Sequence, residues 1–310
     1  MESVVVGAGV ELAVRDFGGS GQPALLLHGA GNTLADLSLL ADRLVADHRV
    51  VAMDLRNHGR SGDGPWTWDD VLADIRAVIE DLGLTDPLLV GHSLGGMLAV
   101  LYAERYDGVA GAVNLDGFGT GTPEQYDMDP AEVTRLLDLL KDVGDATVRS
   151  ITAPQTPEQV GLARQAWVDA AVALGLDPVL AGEAFDRPLV AEGEHVVRRP
   201  SASRLLELRT AIDALDVLAL YEHTSEPQLV VVATSDRPDP NLTPELHELA
   251  SARRRGVIAR LRALEQSRPE LHLVELNATH GLIYEVPDAI AAHVREFAAG
   301  LPTQTVEELA

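Results

Sequence analysis

Short apolar runs alternate with amphipathic stretches over the first 117 residues of the chain. The opening segment VVVGAGVELAVRDFG alternates between apolar and other positions around two glycines, which predicts a β-hairpin. Continuous apolar runs then predict strands buried on both faces of a sheet, at 24–29, 49–55, 87–93 and 108–117. Amphipathic stretches between them predict helices, including 68–83 and 94–106. This order of elements predicts a parallel sheet with right-handed crossovers.

The alternation stops at about residue 118 and resumes near residue 227. The intervening segment has helical patterns broken by prolines and contains no apolar run of the earlier kind. Strands are predicted again at 227–236 and 271–277, with a long helix at 243–267 and a closing helix after them. We therefore expect one α/β core built from 1–117 and 227–310. We interpret 118–226 as an inserted helical cap, because a hundred residues are too many for a loop.

Composition and charge exclude several classes of function. Asp and Glu number 48 against 24 Lys and Arg, so the net charge is −24, and such a chain repels nucleic acid and anionic membranes. No cysteine is present, which excludes disulfides, thiolate catalysis and zinc–thiolate sites. No basic leader precedes the first strand, so we expect a cytoplasmic protein. Its expected partner is a small-molecule substrate, with the chain as a monomer or homodimer and no membrane contact.

The most specific motif is GHSLGG at 91–96, which places Ser93 between a predicted strand and a predicted helix. A turn this tight strains the serine backbone and needs small neighbours, which Gly91 and Gly95 provide. It lifts the hydroxyl above the carboxyl edge of the sheet, where ligands bind in open α/β folds. Ser93 is therefore the candidate nucleophile.

A serine hydroxyl needs a base, and His280 follows the last predicted strand, where its loop can reach Ser93. The third member of such a triad is a carboxylate that orients the histidine. Asp236 lies just past the strand at 227–236 and is the favoured candidate. Asp116, at the end of the strand 108–117, is the alternative acid because it faces the same edge.

An oxyanion formed at Ser93 needs two backbone donors. The amide of Leu94, directly after the nucleophile, is the first. The second is expected from the loop HGAGN at 28–32, where small residues let the main chain approach a reacting carbonyl. Ala30 is favoured for this role, with Gly31 as the alternative.

Together HGAG at 28–31, DLRNHGRS at 54–61, GHSLGG at 91–96, the Asp236 loop and ATHG at 278–281 resemble the α/β-hydrolase fold superfamily. The resemblance covers 1–117 and 227–300 and implies a mostly parallel eight-stranded sheet with helices on both faces and an inserted cap. It also implies a serine hydrolase whose triad follows the chain order Ser93, Asp236, His280. Two positions depart from the usual motifs, Ala233 in the acid loop and Asn57 in the DLRNHGRS segment. We expect this segment to form a hydrogen-bonded loop under the site.

The residues predict hydrolysis of a carboxylic ester, lactone or thioester of a small hydrophobic molecule through an acyl-enzyme. The same triad would also serve a lyase, cyclase or acyltransferase of secondary metabolism, because access of water decides the outcome. A ligand receptor on a disabled hydrolase is disfavoured, since all three reacting groups are present. No H-E-x-x-H pattern or carboxylate cluster at metal spacing occurs, so we expect neither a metal nor a cofactor.

Substrate contacts are expected between the cap and the sheet edge. With only 4% aromatic residues, the pocket should be aliphatic. His195, beside Arg198 and Arg199, could bind a substrate carboxylate, although a solvated basic run is the favoured interpretation in so acidic a chain. The candidate lining residues are Gly29, Gly31, Asn32, Phe118, Trp167, Tyr221 and Leu282.

Overall fold

An eight-stranded sheet forms the centre of the protein in a computed structural model that describes residues 1–173, 175–236 and 242–301. The strands lie in the order β1-β2-β4-β3-β5-β6-β9-β10. Two pairs, β1 with β2 and β2 with β4, are antiparallel, and the remaining pairs are parallel. The strands are β1 (Glu2–Val6), β2 (Glu11–Gly18), β3 (Gln22–Leu27), β4 (His48–Met53), β5 (Leu88–His92), β6 (Gly111–Leu115), β7 (Leu189–Glu192), β8 (His195–Arg198), β9 (Gln228–Ala233) and β10 (Leu271–Leu276).

Helices cover both faces of this sheet, as the sequence predicted. Because side chains alternate along a strand, Leu25 and Leu27 pack on one face with α2 and α3, while Leu26 packs on the other with α1 and α11. The helices are α1 (Ser38–Leu44), α2 (Trp68–Asp81), α3 (Leu94–Arg105), α4 (Pro130–Ile151), α5 (Pro157–Ala173), α6 (Pro178–Asp186), α7 (Ala202–Asp213), α8 (Val217–Leu220), α9 (Pro244–Glu265), α10 (Leu282–Glu285) and α11 (Pro287–Gly300).

The segment between β6 and β9 holds α4 to α8 and, in addition, a two-stranded hairpin of β7 and β8. The sequence shows no apolar run of the earlier kind in this segment, so the pattern does not predict this hairpin. Its strands have four residues each and are largely exposed, so they lack the buried apolar run that marked the others. That the segment 118–226 acts as a cap stays a prediction.

A buried arginine joins this inserted segment to the core. Arg187, at the end of α6, is fully buried, and its Nε lies 2.9 Å from a carboxylate oxygen of Asp54. Its Nη1 also lies 2.9 Å from Glu2 of β1. Asp54 in turn accepts hydrogen bonds from the amides of Leu34 and Arg60, so one carboxylate connects the insertion with the loops that follow β3 and β4.

No helix within the described ranges is long and apolar enough to cross a membrane.

Candidate active site

Ser93 occupies the turn between β5 and α3, in a backbone conformation that is rare for a side-chain-bearing residue. Its φ is 54° and its ψ is −117°. A Cβ at Gly91 would lie 2.0 Å from the carbonyl of Gly95, and one at Gly95 would lie 2.1 Å from the carbonyl oxygen of Leu27. Only glycine allows these approaches, so GHSLGG folds as the tight strand-to-helix turn that the sequence predicted.

His280 lies between Ser93 and an aspartate. Its Nε2 is 3.1 Å from Ser93 Oγ, and its Nδ1 is 2.7 Å from Oδ2 of Asp116. Asp116 directly follows β6 with a φ of 56°, and its other carboxylate oxygen accepts a hydrogen bond of 3.0 Å from the amide of Ala233. The three side chains therefore form a continuous hydrogen-bonded row at the carboxyl edge of the sheet.

The prediction that Asp236 orients His280 is wrong in this structure. The carboxylate of Asp236 lies 2.5 Å from Arg254 and 2.6 Å from the hydroxyl of Ser251, both on α9. Partial burial by itself raises the pKa of Asp236, but the hydrogen bonds from Arg254 and Ser251 outweigh it and lower this pKa below its usual range. The α9 side chains hold Asp236 away from His280, and the alternative acid Asp116 occupies the place predicted for it.

The two predicted oxyanion donors are both available. Within the residues that the structure describes, neither the amide of Leu94 nor that of Ala30 donates a hydrogen bond to the protein. The alternative donor, the amide of Gly31, already donates to Nε2 of His58 at 3.1 Å. This occupied amide favours Ala30 over Gly31.

Two buried histidines support the loop that carries Ala30. His28 donates from Nδ1 to the carbonyl of Gly29 and accepts at Nε2 from the amide of Leu55. His58 holds the amide of Gly31 in the same way. Burial lowers the pKa of His28 to about 4 and that of His58 to about 3, so both rings are neutral at neutral pH and can accept these hydrogen bonds.

A third buried histidine connects the two loops that carry Ser93 and His280. The Nε2 of His92 donates to the carbonyl oxygen of His280 at 2.9 Å, and the two rings lie 4.9 Å apart. Burial, with a smaller effect from His280, lowers the pKa of His92 to about 4. The position of His92 in the tight turn predicts that its ring holds a loop by a hydrogen bond, but nothing in GHSLGG shows which distant carbonyl the ring would reach.

Four of the predicted lining residues lie at the site or in a neighbouring cavity. Gly29 lies against Ser93, since a Cβ there would be 3.2 Å from Ser93 Cβ. Gly31 and Asn32 line a cavity of about 400 Å³, which also borders Ala30. Trp167 lines a second cavity, of about 330 Å³, that borders Gly281 beside His280.

The other predicted lining residues are part of hydrophobic clusters. Tyr221 is fully buried, and its hydroxyl accepts a hydrogen bond of 2.7 Å from Asn114. Leu282 is fully buried in the cluster under α1 and α11. Phe118 packs partly buried beside Tyr221. The predictions for Tyr221 and Leu282 are wrong, because an apolar residue near the site packs inward as readily as it lines a pocket.

Within the described ranges, no group of three or more His, Asp or Glu side chains is arranged to hold a metal ion.

Sequence comparison identifies the family. The sequence model described as the alpha/beta hydrolase family matches residues 24–293. The chain belongs to this family. The fold agrees, since the structure of E-2-(acetamidomethylene)succinate hydrolase superimposes on this α/β hydrolase with a TM-score of 0.69. That comparison covers 97% of this chain and 99% of the other at 19% identity. An enol-lactonase from Burkholderia xenovorans LB400 has a TM-score of 0.61 at 21% identity, over 96% and 100% of the two chains.

Curated relatives match this α/β hydrolase over part of their length. A 2-hydroxy-6-oxononadienedioate/2-hydroxy-6-oxononatrienedioate hydrolase from Burkholderia vietnamiensis is 34% identical over 44% of this chain and 50% of its own length. A non-heme haloperoxidase from Rhodococcus erythropolis is 38% identical over 34% of this chain and 39% of its own length. The chain thus spans half or less of the length of these relatives.

The neutral histidines predict a loss of stability in mild acid. An unfolded histidine titrates near pH 6.5, so below that pH the unfolded chain binds protons that folded His28, His58 and His92 exclude. The free energy of unfolding should therefore fall from about pH 7 to about pH 5, by up to about 1.4 kcal/mol per pH unit for each ring. Urea unfolding at several pH values measures this slope.

The matched variants are His58→Gln, whose amide oxygen can still accept from Gly31, and His195→Gln, at the exposed first residue of β8. The slope of the unfolding free energy against pH should be smaller in His58→Gln by up to about 1.4 kcal/mol per pH unit, the contribution of one proton. His195→Gln should leave this slope as in the wild type. A stability that is level over this pH range would contradict the burial of neutral rings.

Proposed function

We propose that this protein is a serine hydrolase that cleaves a carboxylic ester, lactone or thioester of a small hydrophobic molecule. The observation that carries the proposal is the position of His280, with Nε2 3.1 Å from Ser93 Oγ and Nδ1 2.7 Å from Asp116. These are hydrogen-bond distances, and the geometry is that of a nucleophile, its base and an orienting carboxylate.

In the first half of the reaction, Ser93 Oγ attacks the acyl carbon and its proton passes to Nε2 of His280. The carbonyl oxygen becomes an oxyanion, which the amides of Leu94 and Ala30 stabilise. Asp116 holds Nδ1–H and stabilises the imidazolium. The intermediate collapses, the bond to the alcohol or thiol breaks, and His280 returns the proton to that leaving group.

In the second half, a water molecule attacks the acyl-enzyme and gives one proton to His280. The second tetrahedral intermediate breaks its bond to Ser93 Oγ, which regains the proton and releases the carboxylic acid. The exposure of the His280 side chain, 59%, supports hydrolysis over transfer, because water can reach the imidazole. A lyase, cyclase or acyltransferase would have to keep this water out.

The nucleophile can be tested by covalent labelling. A fluorophosphonate probe should label the wild type, and Ser93→Ala should lose both labelling and turnover of a p-nitrophenyl ester panel, by about a millionfold in kcat for the best ester. Ser267→Ala, which removes a hydroxyl that only caps the end of α9, is the matched control and should label normally. Retained labelling of Ser93→Ala would overturn the assignment.

The acid can be tested by a matched pair of substitutions. Asp116→Asn keeps a side chain that tolerates positive φ but places an amide opposite His280 Nδ1, which favours the wrong tautomer. We expect kcat to fall by about a thousandfold or more. Asp236→Asn should keep kcat within a few-fold of the wild type, because Asp236 contacts α9 and not His280. The reverse result would restore Asp236 as the orienting acid.

Hydrolysis can be separated from transfer with isotopically labelled water. The acid released from any ester that the wild type turns over should carry one labelled oxygen, since water supplies the atom that breaks the acyl-enzyme. Incubating the free acid with Ser93→Ala in the same water controls for exchange without turnover. Acid or acyl product without label would favour the transferase or cyclase alternative.

A further inference from the structure

A cavity of about 400 Å³ borders Ala30, one of the two proposed oxyanion donors. Part of its wall comes from the 28–32 loop, and the rest comes from the inserted segment. The inserted segment contributes eight apolar side chains, among them Phe185, Leu189 and Val196. The cavity borders Ala30 but neither Ser93 nor His280, so it would hold a part of the substrate other than the reacting carbonyl, and the chemistry of its wall bears on substrate choice.

The charge of this wall is opposite to that of the protein as a whole. The chain carries twice as many acidic as basic residues, yet the described residues that line the cavity include Arg198 and Arg199 and no Asp or Glu. The remaining polar lining residues are Asn32 and Gln155, which are neutral. A cationic wall in a strongly anionic protein concentrates anions locally and makes this cavity a suitable site for one.

The two guanidinium groups differ in their partners. Arg199 lies 2.5 Å from the carboxylate of Asp63 and donates to the carbonyl of Gly59. Arg198 has no carboxylate within 4 Å in the part of the chain that the structure describes, and its hydrogen bond to the carbonyl of Gly31, at 3.5 Å, is long. Arg198 is thus a partly buried cation whose donors are still available.

The acidic groups near Arg198 compensate its buried positive charge only in part. Asp36 already accepts hydrogen bonds from the amide and hydroxyl of Thr33 and from the hydroxyl of Tyr284. Burial lowers the pKa of Arg198, and Asp36 and Tyr284 oppose this only in part. The sequence favoured a solvated basic run here, but the structure places Arg198 in a cavity wall, where a desolvated cation favours an anionic ligand.

We propose that the guanidinium of Arg198 binds a free carboxylate of the substrate, so that the enzyme acts on half-esters of short dicarboxylic acids. This inference rests on the proposed function. Guanidinium and carboxylate pair through two parallel hydrogen bonds, and the apolar side chains of the cavity would contact the intervening methylenes. Arg198 reaches the carbonyl of Gly31, the residue after Ala30, so we expect a short acyl chain between the reacting carbonyl and the carboxylate.

The test compares monoethyl adipate with ethyl hexanoate, which has a methyl group in place of the carboxylate. The measured quantity is the ratio of their kcat/KM values, from release of ethanol. The wild type should favour the anionic ester by about tenfold or more, and Arg198→Gln should reduce that ratio by about 10- to 100-fold, the range for hydrogen bonds to a charged group. Arg198→Lys, which keeps the charge, should restore part of the ratio.

Matched arginine variants separate a specific contact from general charge. Arg199→Gln should lower the ratio less than Arg198→Gln, because Arg199 is already paired with Asp63. Arg76→Gln removes an exposed arginine that pairs with Glu80 on α2, and it should leave the ratio as in the wild type. Adipate binding to Ser93→Ala, measured by calorimetry, should weaken with added salt and be lost in the Ser93→Ala, Arg198→Gln double variant.

A wild type that turns over both esters with equal kcat/KM would overturn the proposal, whether or not the Arg198 variants fold. An unchanged ratio in folded Arg198→Gln would overturn it as well. Fluorophosphonate labelling of the same preparations reports on Ser93 independently. Labelling without a preference for the anionic ester contradicts only the carboxylate site, whereas absence of labelling contradicts the proposed function itself.

Discussion

The left-handed backbone of Ser93 is the constraint on which the rest of the site depends. Strained conformations of this kind cost about 1–3 kcal/mol and persist only where the surrounding structure imposes them. Here the amide of Ser93 donates to the carbonyl of Leu115, and Gly91 and Gly95 are in contact across the turn. The hydroxyl is thereby held on a rigid junction, at hydrogen-bonding distance from an imidazole supplied by a loop nearly two hundred residues later in the chain.

Neutral buried histidines form the framework around this junction. His28 and His58 hold the loop that carries Ala30, and His92 holds the carbonyl of His280. A neutral imidazole has one nitrogen that donates and one that can accept. A protonated ring has no acceptor, so it could not accept a hydrogen bond from an amide. Burial therefore does two things at once, since it keeps these rings uncharged and fixes the loops that bring the reacting groups together.

The sequence predicts the positions that depend on local pattern and fails where distant packing decides. Ser93 and His280 follow strongly apolar strands, so their meeting at one sheet edge could be inferred. Which aspartate orients His280 could not be inferred. The strands β6 and β9 are parallel neighbours, and an aspartate follows each of them at the same edge of the sheet. The choice of Asp116 depends on the Ala233 amide and on α9 side chains that hold Asp236 elsewhere. In the same way, an apolar pattern could not distinguish the buried Tyr221 from a residue that lines a cavity.

The buried pair of Arg187 and Asp54 limits how the inserted segment can move. Lifting α6 away from the sheet would separate two opposite charges that are buried against each other, at a cost of several kcal/mol. That corner of the insertion is therefore anchored to the core at neutral pH. Any motion of the insertion that keeps this ion pair must leave α6 against the core, because Asp54 is itself fixed by the amides of Leu34 and Arg60.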